Sequence, residues 1–138
     1  MGDFAMIRQY GEMDLIGVLF RPITNLDHVK FEVLEPEWVN GAYYSSTAGA
    51  TTNNSDMRSA IVDCSKYDYV IYGVNSEVSG NVYSGLRAAS DSGTLAKYIM
   101  AHSASSSAYS IDDCSTNKYL LVSQSKTRRL PIIGIMVD

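Results

Sequence analysis

The chain has 138 residues, a net charge of −4 and 46% hydrophobic residues, which is the size and composition of one globular domain. An acidic chain is poorly suited to nucleic acid phosphates or an anionic membrane surface, and its apolar runs are too short for a transmembrane helix. The N-terminus lacks the basic and apolar regions of a signal peptide, so we expect the two cysteines to stay reduced in a cytosol.

Residues 1–36 are hydrophobic as far as Pro22 and contain few turn residues. Because so many apolar side chains must be buried in the domain itself or against a partner, we predict that residues 1–36 form an N-terminal attachment or assembly arm. We expect this arm to pack between subunits or against another protein of the assembly, so that a chain lacking residues 1–36 folds without assembling. The side chains expected to mediate assembly are Phe4, Ile7, Leu15, Ile16, Leu19 and Phe20.

Residues 37–138 alternate short β-rich runs with turn residues, a spacing typical of a sandwich or barrel. Eight predicted strands without a convincing long helix favour an all-β, jelly-roll-like β-sandwich. The strands are expected at residues 41–46, 57–62, 67–74, 82–89, 94–101, 108–111, 118–123 and 131–137, with a polar loop at 47–56. Core side chains are expected from Val70, Ile71, Leu120 and Leu121.

A short motif occurs twice, as Asp63-Cys64-Ser65 and, 50 residues later, Asp113-Cys114-Ser115. Both copies end a predicted strand, and an aromatic and aliphatic strand follows each of them. Asp and Ser side chains bond the backbone two residues on, which stabilises such turns. The repeat predicts two equivalent turn–strand units, as the paired Greek keys of a jelly roll would give, with coincidence as the alternative. We predict that both thiols are free.

The sequence offers little that indicates catalysis. The two histidines are not spaced with the cysteines as zinc ligands, and no nucleophile elbow or phosphate-binding glycine loop is present. Asp63, Asp112 and Asp113 are interpreted as turn formers rather than calcium ligands. The basic cluster Lys126, Arg128 and Arg129 is interpreted as solvated hairpin charge rather than an anion site. We therefore predict a non-enzyme with no catalytic residue, cofactor or metal.

The sequence from Trp38 onwards resembles β-sandwich modules from tail and head fibres, and related receptor-binding proteins, of gut-bacterial phages. The segments that carry this resemblance are residues 38–44, Arg58, residues 61–67, residues 83–87, Ser90-Asp91-Ser92 and residues 118–123. The chain departs from the usual pattern in two places. Cys64 and Cys114 replace small residues, and Ala88-Ala89-Ser90 stands where an aromatic residue usually precedes an Asp-Ser turn.

The resemblance implies a non-catalytic structural and receptor-facing component of a virion, assembled in the cytoplasm of the bacterial host. It further implies a homo-oligomer, with a trimer favoured, that contacts other virion proteins and in some members a host surface glycan. Sugar rings stack on aromatic faces and their hydroxyls need polar partners. The ligand-binding candidates are therefore Tyr43, Tyr44, Arg58, Tyr83 and Arg87. The alternatives are a freestanding carbohydrate-binding module and a capsid decoration protein without a ligand.

Overall fold

The computed structural model describes residues 29–46, 49–87, 100–102 and 107–137. These residues form two antiparallel sheets, so the predicted all-β, jelly-roll-like sandwich is confirmed. Within those ranges no helix is long and apolar enough to cross a membrane. The nine strands are β1 (Val29–Leu34), β2 (Val39–Tyr44), β3 (Thr51–Asp63), β4 (Tyr69–Asn75), β5 (Val82–Arg87), β6 (Met100–His102), β7 (Ser107–Asp113), β8 (Tyr119–Ser125) and β9 (Ile132–Val137).

The strands pair like a long hairpin folded over on itself, so strands from early in the chain lie beside strands from late in it. The nested antiparallel pairs are β1 with β9, β3 with β8, β4 with β7, and β5 with β6. Further pairing of β4 with β9 and of β5 with β8 completes the sheets β1-β9-β4-β7 and β2-β3-β8-β5-β6. This arrangement is a jelly roll, with β2 added at the edge beside β3.

The predicted boundary after residue 36 is wrong, because β1 lies on its N-terminal side and belongs to the sandwich. This strand pairs with β9 along its whole length, from Val29 opposite Val137 to Leu34 opposite Ile132. The sheet register therefore includes residues that we assigned to the arm from their composition. The arm candidates Phe4, Ile7, Leu15, Ile16, Leu19 and Phe20 lie outside the described residues.

The polar loop predicted at 47–56 is also largely wrong, since β3 already begins at Thr51. Its first half pairs with β2 in a hairpin, where Tyr44 lies opposite Thr51 and Ala42 opposite Asn53. Most side chains there are exposed, so the sequence carries no apolar alternation to indicate a strand. Of the strand predicted at 94–101, residues 100 and 101 fall within β6 and the remainder lies outside the described residues.

The main core lies between the two sheets. The predicted core residues Val70, Ile71, Leu120 and Leu121 are all fully buried, so that prediction is confirmed. Successive residues of a strand point to opposite faces, and only Val70 and Leu120 of these four belong to the inter-sheet cluster.

The outward face of the four-stranded sheet carries a second apolar cluster. At its centre Ile71, Ile133 and Ile135 are no more than 1% exposed. Antiparallel sheets commonly present one apolar and one solvated face, and this sheet is apolar on both. The partly buried side chains that surround the centre are Val29, Phe31, Val33, Tyr69, Ile111 and Val137.

Candidate functional site

The strands that flank the two repeated motifs pair in equivalent ways. The pairing of β3 with β8 places Asp63 opposite Tyr119, and the pairing of β7 with β4 places Asp113 opposite Tyr69. Each of these residues stands 50 positions from its counterpart in the other pair. The predicted equivalence of the two units is therefore confirmed at the level of sheet register.

The connecting turns are cross-linked by a reciprocal pair of hydrogen bonds. The amide of Cys64 donates to the carbonyl of Lys118 over 2.7 Å, and the amide of Cys114 donates to the carbonyl of Asp68 over 2.9 Å. We call the strands and turn around Cys64 the first half and those around Cys114 the second half. Exchanging each residue for its counterpart 50 positions away converts one bond into the other, so the two halves are related by an approximate two-fold. This relation brings the two turns together at one end of the sandwich.

Each turn is held by its own aspartate, as the sequence predicted. Asp63 Oδ1 accepts a hydrogen bond from the amide of Ser65 over 2.9 Å, and Asp113 Oδ1 accepts one from the amide of Ser115 over 2.6 Å. Hydrogen bonds from the side chain and then the amide of Ser65 lower the pKa of Asp63. Asp112 does not hold a turn in this way; its Oδ2 accepts a hydrogen bond from the hydroxyl of Tyr72 over 3.3 Å.

A cleft of about 510 Å³ opens where the two turns meet. Both halves contribute polar and charged side chains to it, together with the aromatic ring of Tyr69. A second cleft, an acidic groove of about 230 Å³, lies beside Glu32 and Asp63. The cleft between the two turns is lined by Ser65, Lys66, Tyr67, Asp68, Tyr69, Asp113, Ser115, Lys118 and Val137.

Equivalent positions of the two halves place opposite charges in this cleft. Lys118 Nζ donates to the carbonyls of Cys114 and Ser115, over 3.0 and 2.7 Å. Asp68, its counterpart, accepts a hydrogen bond from the amide of Val137 at Oδ2 over 2.7 Å. Both charged groups are thus positioned by backbone contacts, while each retains further hydrogen-bonding capacity.

Tyr67 closes one wall of the cleft and is linked to a small charged cluster. Lys66 Nζ lies 3.2 Å from Glu32 Oε1 and 5.3 Å from the centre of the Tyr67 ring. Hydrogen bonds from Tyr67 and then Lys66 lower the pKa of Glu32, whereas burial is the main cause that raises the pKa of Tyr67. The ring itself packs over Gly134 of β9, where a β-carbon would overlap it.

The predicted ligand-binding residues Tyr43, Tyr44, Arg58, Tyr83 and Arg87 all lie on the five-stranded sheet, yet they do not form one site. Tyr44, Arg58 and Arg87 are buried, at 6%, 6% and 1% exposure, whereas Tyr43 and Tyr83 are partly exposed. Burial raises the pKa of Tyr44, and the positive charge of Arg87 opposes this with a smaller, lowering effect.

The two arginines of that predicted set lie on opposite faces of the sheet. Arg58 pairs in register with Gln124 and Arg87 with Tyr119, and positions 119 and 124 of β8 point in opposite directions. Arg58 stacks 3.7 Å from the Trp38 ring centre and donates to Gln124 over 2.7 Å. Arg87 lies 4.5 Å over the Tyr119 ring. Both arginines therefore contact neighbouring side chains of the fold, and they do not share a face of the sheet.

One residue of the basic cluster, Arg128, links the loop between β8 and β9 to the loop between β4 and β5. Arg128 Nε lies 2.7 Å from Glu77 Oε1, and a second nitrogen donates to the carbonyl of Ser76 over 3.0 Å. In the part of the chain that the structure describes, no group of three or more histidine, cysteine or acidic side chains is arranged to hold a metal ion.

The chain matches no protein-family model, no curated protein and no solved structure. The cleft residues Lys66, Asp68, Tyr69 and Lys118 were not among the residues predicted from sequence. The repeat marks the two turns that carry these residues, whereas the contact between the turns comes from the backbone hydrogen bonds that cross-link them in the fold.

Proposed function

We propose that this chain is a non-enzymatic jelly-roll module of a phage virion, and that it binds a host surface glycan in the cleft between the two repeated turns. The observation that carries the proposal is the composition of that cleft. It combines a partly exposed aromatic ring, Tyr69, with side chains of both charges on positioned turns. Sugars need this combination, because their ring faces are apolar and their hydroxyls both donate and accept hydrogen bonds.

The balance of charge favours a neutral sugar over an anionic one. Lys66 and Lys118 face Asp68 and Asp113, so the cleft has two positive and two negative side chains. Lysines supply donors and carboxylates supply acceptors, which suits a row of hydroxyl groups better than a phosphate or a carboxylate.

The cleft is preorganised for binding. Asp113 accepts the amide of Ser115, Asp68 accepts the amide of Val137, and Lys118 donates to two carbonyls. These contacts fix the geometry of the cleft before a ligand arrives, which lowers the entropic cost of binding. A virion role and a trimeric assembly rest on the resemblance to phage fibre modules, and the mass of the full-length protein in solution tests them. A stable trimer supports a fibre or decoration role, and a monomer supports a freestanding carbohydrate-binding module.

A glycan array probed with the full-length chain tests the ligand site. We expect Tyr69→Ala and Lys66→Ala each to weaken binding by about tenfold or more, since each removes a stacking or hydrogen-bonding partner. Matched controls are Tyr83→Ala on the five-stranded sheet and Lys30→Ala, an exposed lysine on β1, which should bind like the parent. Binding that survives both cleft substitutions but is lost in Tyr83→Ala would move the site to the five-stranded sheet. A chain that binds no glycan on the array would leave the decoration protein as the better proposal.

A further inference from the structure

The two cysteines lie together in the core although they stand 50 residues apart in the sequence. Both are free, as predicted, and both are fully buried within the inter-sheet cluster. Cys64 directly follows β3 of the five-stranded sheet, and Cys114 directly follows β7 of the four-stranded sheet. Because both belong to one buried cluster and their turns are cross-linked through the backbone, the pair spans the two layers of the sandwich.

Backbone hydrogen bonds fix the relative position of the two cysteines. The reciprocal bonds from the amides of Cys64 and Cys114 to the opposite turn fix both residues relative to each other. Each sulfur also contacts the carbonyl two residues before it, at 3.7 Å for Cys64 and 3.9 Å for Cys114. The equivalence of the turns therefore extends to the orientation of their side chains.

We propose that Cys64 and Cys114 form a site of reversible oxidation, at which a low-molecular-weight disulfide such as oxidised glutathione converts the pair to an inter-sheet disulfide. One cysteine thiolate attacks the reagent, forms a mixed disulfide and releases one glutathione thiol. The second cysteine then attacks the protein sulfur of that mixed disulfide, which forms the Cys64–Cys114 bond and releases the second glutathione. Two protein thiols are oxidised, one disulfide is reduced to two thiols, and the two protons leave with the glutathione.

Burial controls the rate of this exchange rather than its direction. The interaction with Cys114 and then burial raise the pKa of the Cys64 thiol, so little of the reactive thiolate is present at neutral pH. Reaction therefore requires local opening at the turns, and mild denaturant should accelerate it. Once formed, the bond closes a long loop and restricts the unfolded chain, which stabilises the fold.

The experiment treats the full-length protein with oxidised glutathione and follows intact mass, thiol content after unfolding, and the midpoint of thermal unfolding. We expect the mass to fall by two hydrogen atoms, both titratable thiols to disappear, and the unfolding midpoint to rise until reductant restores it. The single variants Cys64→Ser and Cys114→Ser are the matched controls. Each should gain at most one glutathione and show no increase in midpoint.

Two results would overturn the proposal. The first is a wild-type protein that still contains two free thiols after exposure in mild denaturant, which would mean that the sulfurs do not meet. The second is oxidation that yields only mixed or intermolecular disulfides, or that lowers the unfolding midpoint, because both outcomes show that an inter-sheet bond does not fit the native fold. None of these readouts depends on glycan binding, so this proposal and the proposed function fail separately.

Discussion

The two halves of the sandwich have equivalent strand pairings, but different residues fill the corresponding positions of their cores. In the first half the ring of Tyr67 packs over Gly134, which lies opposite Val70. In the second half the place opposite Leu120 is taken by Leu86, a fully buried core residue. Position 117, which corresponds to Tyr67, is an asparagine. The volume missing at Gly134 is thus supplied by a tyrosine from the turn, whereas Leu86 supplies it from the strand.

A repeated backbone therefore does not require a repeated core. Packing density in protein interiors is nearly constant, so what must be kept at each site is the total volume and its apolar character. The turns keep their sequence because the Asp side chains bond the backbone locally. The core positions diverge because volume can be supplied by either of two neighbours.

The largest effect expected concerns β1, the edge strand of the four-stranded sheet. A chain of residues 37–138 lacks β1 and exposes the edge of β9 together with the Ile133 and Ile135 side chains. We expect it to lose cooperative unfolding, measured by far-UV circular dichroism during heating. A chain of residues 29–138 is the control and should retain a cooperative transition. If the 37–138 chain unfolds cooperatively with the midpoint of the full-length protein, the sandwich folds without β1 and the domain boundary predicted after residue 36 is correct.

The second prediction concerns the half that is filled from the strand. Leu86→Ala should lower the free energy of unfolding by about 2–5 kcal/mol, because it leaves a cavity in a fully buried position. Denaturant unfolding measures this loss. Val39→Ala, at an exposed valine of β2, provides the matched control and should change stability little. If the two substitutions cost the same, Leu86 would not be the residue that fills this half.

The third prediction concerns the half that is filled from the turn. Gly134→Leu should cost about 1–3 kcal/mol or more, because the new side chain overlaps the Tyr67 ring. Adding Tyr67→Asn copies the arrangement of the second half and removes the overlap. The double variant should therefore be more stable than Gly134→Leu alone, with a favourable coupling energy in the double-mutant cycle. Independent, additive effects of the two substitutions would refute the exchange of volume between turn and strand.

Much of the fold was predictable from sequence where strands are rich in apolar residues and bounded by turn residues. β4 and β8 were placed from their apolar residues, and the Asp-Cys-Ser repeat correctly indicated two equivalent units. β1 and the first half of β3 were missed for different reasons. β1 was assigned to the arm together with the hydrophobic residues before Pro22, although its own sequence, VKFEVL, alternates apolar and charged residues, whereas the first half of β3 is a polar hairpin arm without alternation.

The candidate site was harder to predict, because aromatic and arginine residues are typical of both ligand contacts and core packing. Arg58 and Arg87 are residue types that are common in binding sites, but in this fold both are buried and stack on the aromatic rings of Trp38 and Tyr119. The cleft arises from the two-fold relation of turns that are distant in the sequence. Periodicity along the chain predicts the turns and does not predict their contact.

The smallest expected loss of folding stability comes from replacing either of the two aspartates that hold the turns. Asp63→Ala and Asp113→Ala should each cost about 1 kcal/mol, since each removes a hydrogen bond to an exposed amide. The pKa of Asp63 is lowered in the fold, so its stabilisation is present above the pKa of the unfolded chain and is lost as pH falls through the folded value. The stability gap between the parent and Asp63→Asn should therefore narrow on acidification from neutral pH, as measured by urea unfolding. A gap that stays constant with pH would mean that the charged carboxylate contributes nothing beyond what an amide oxygen supplies.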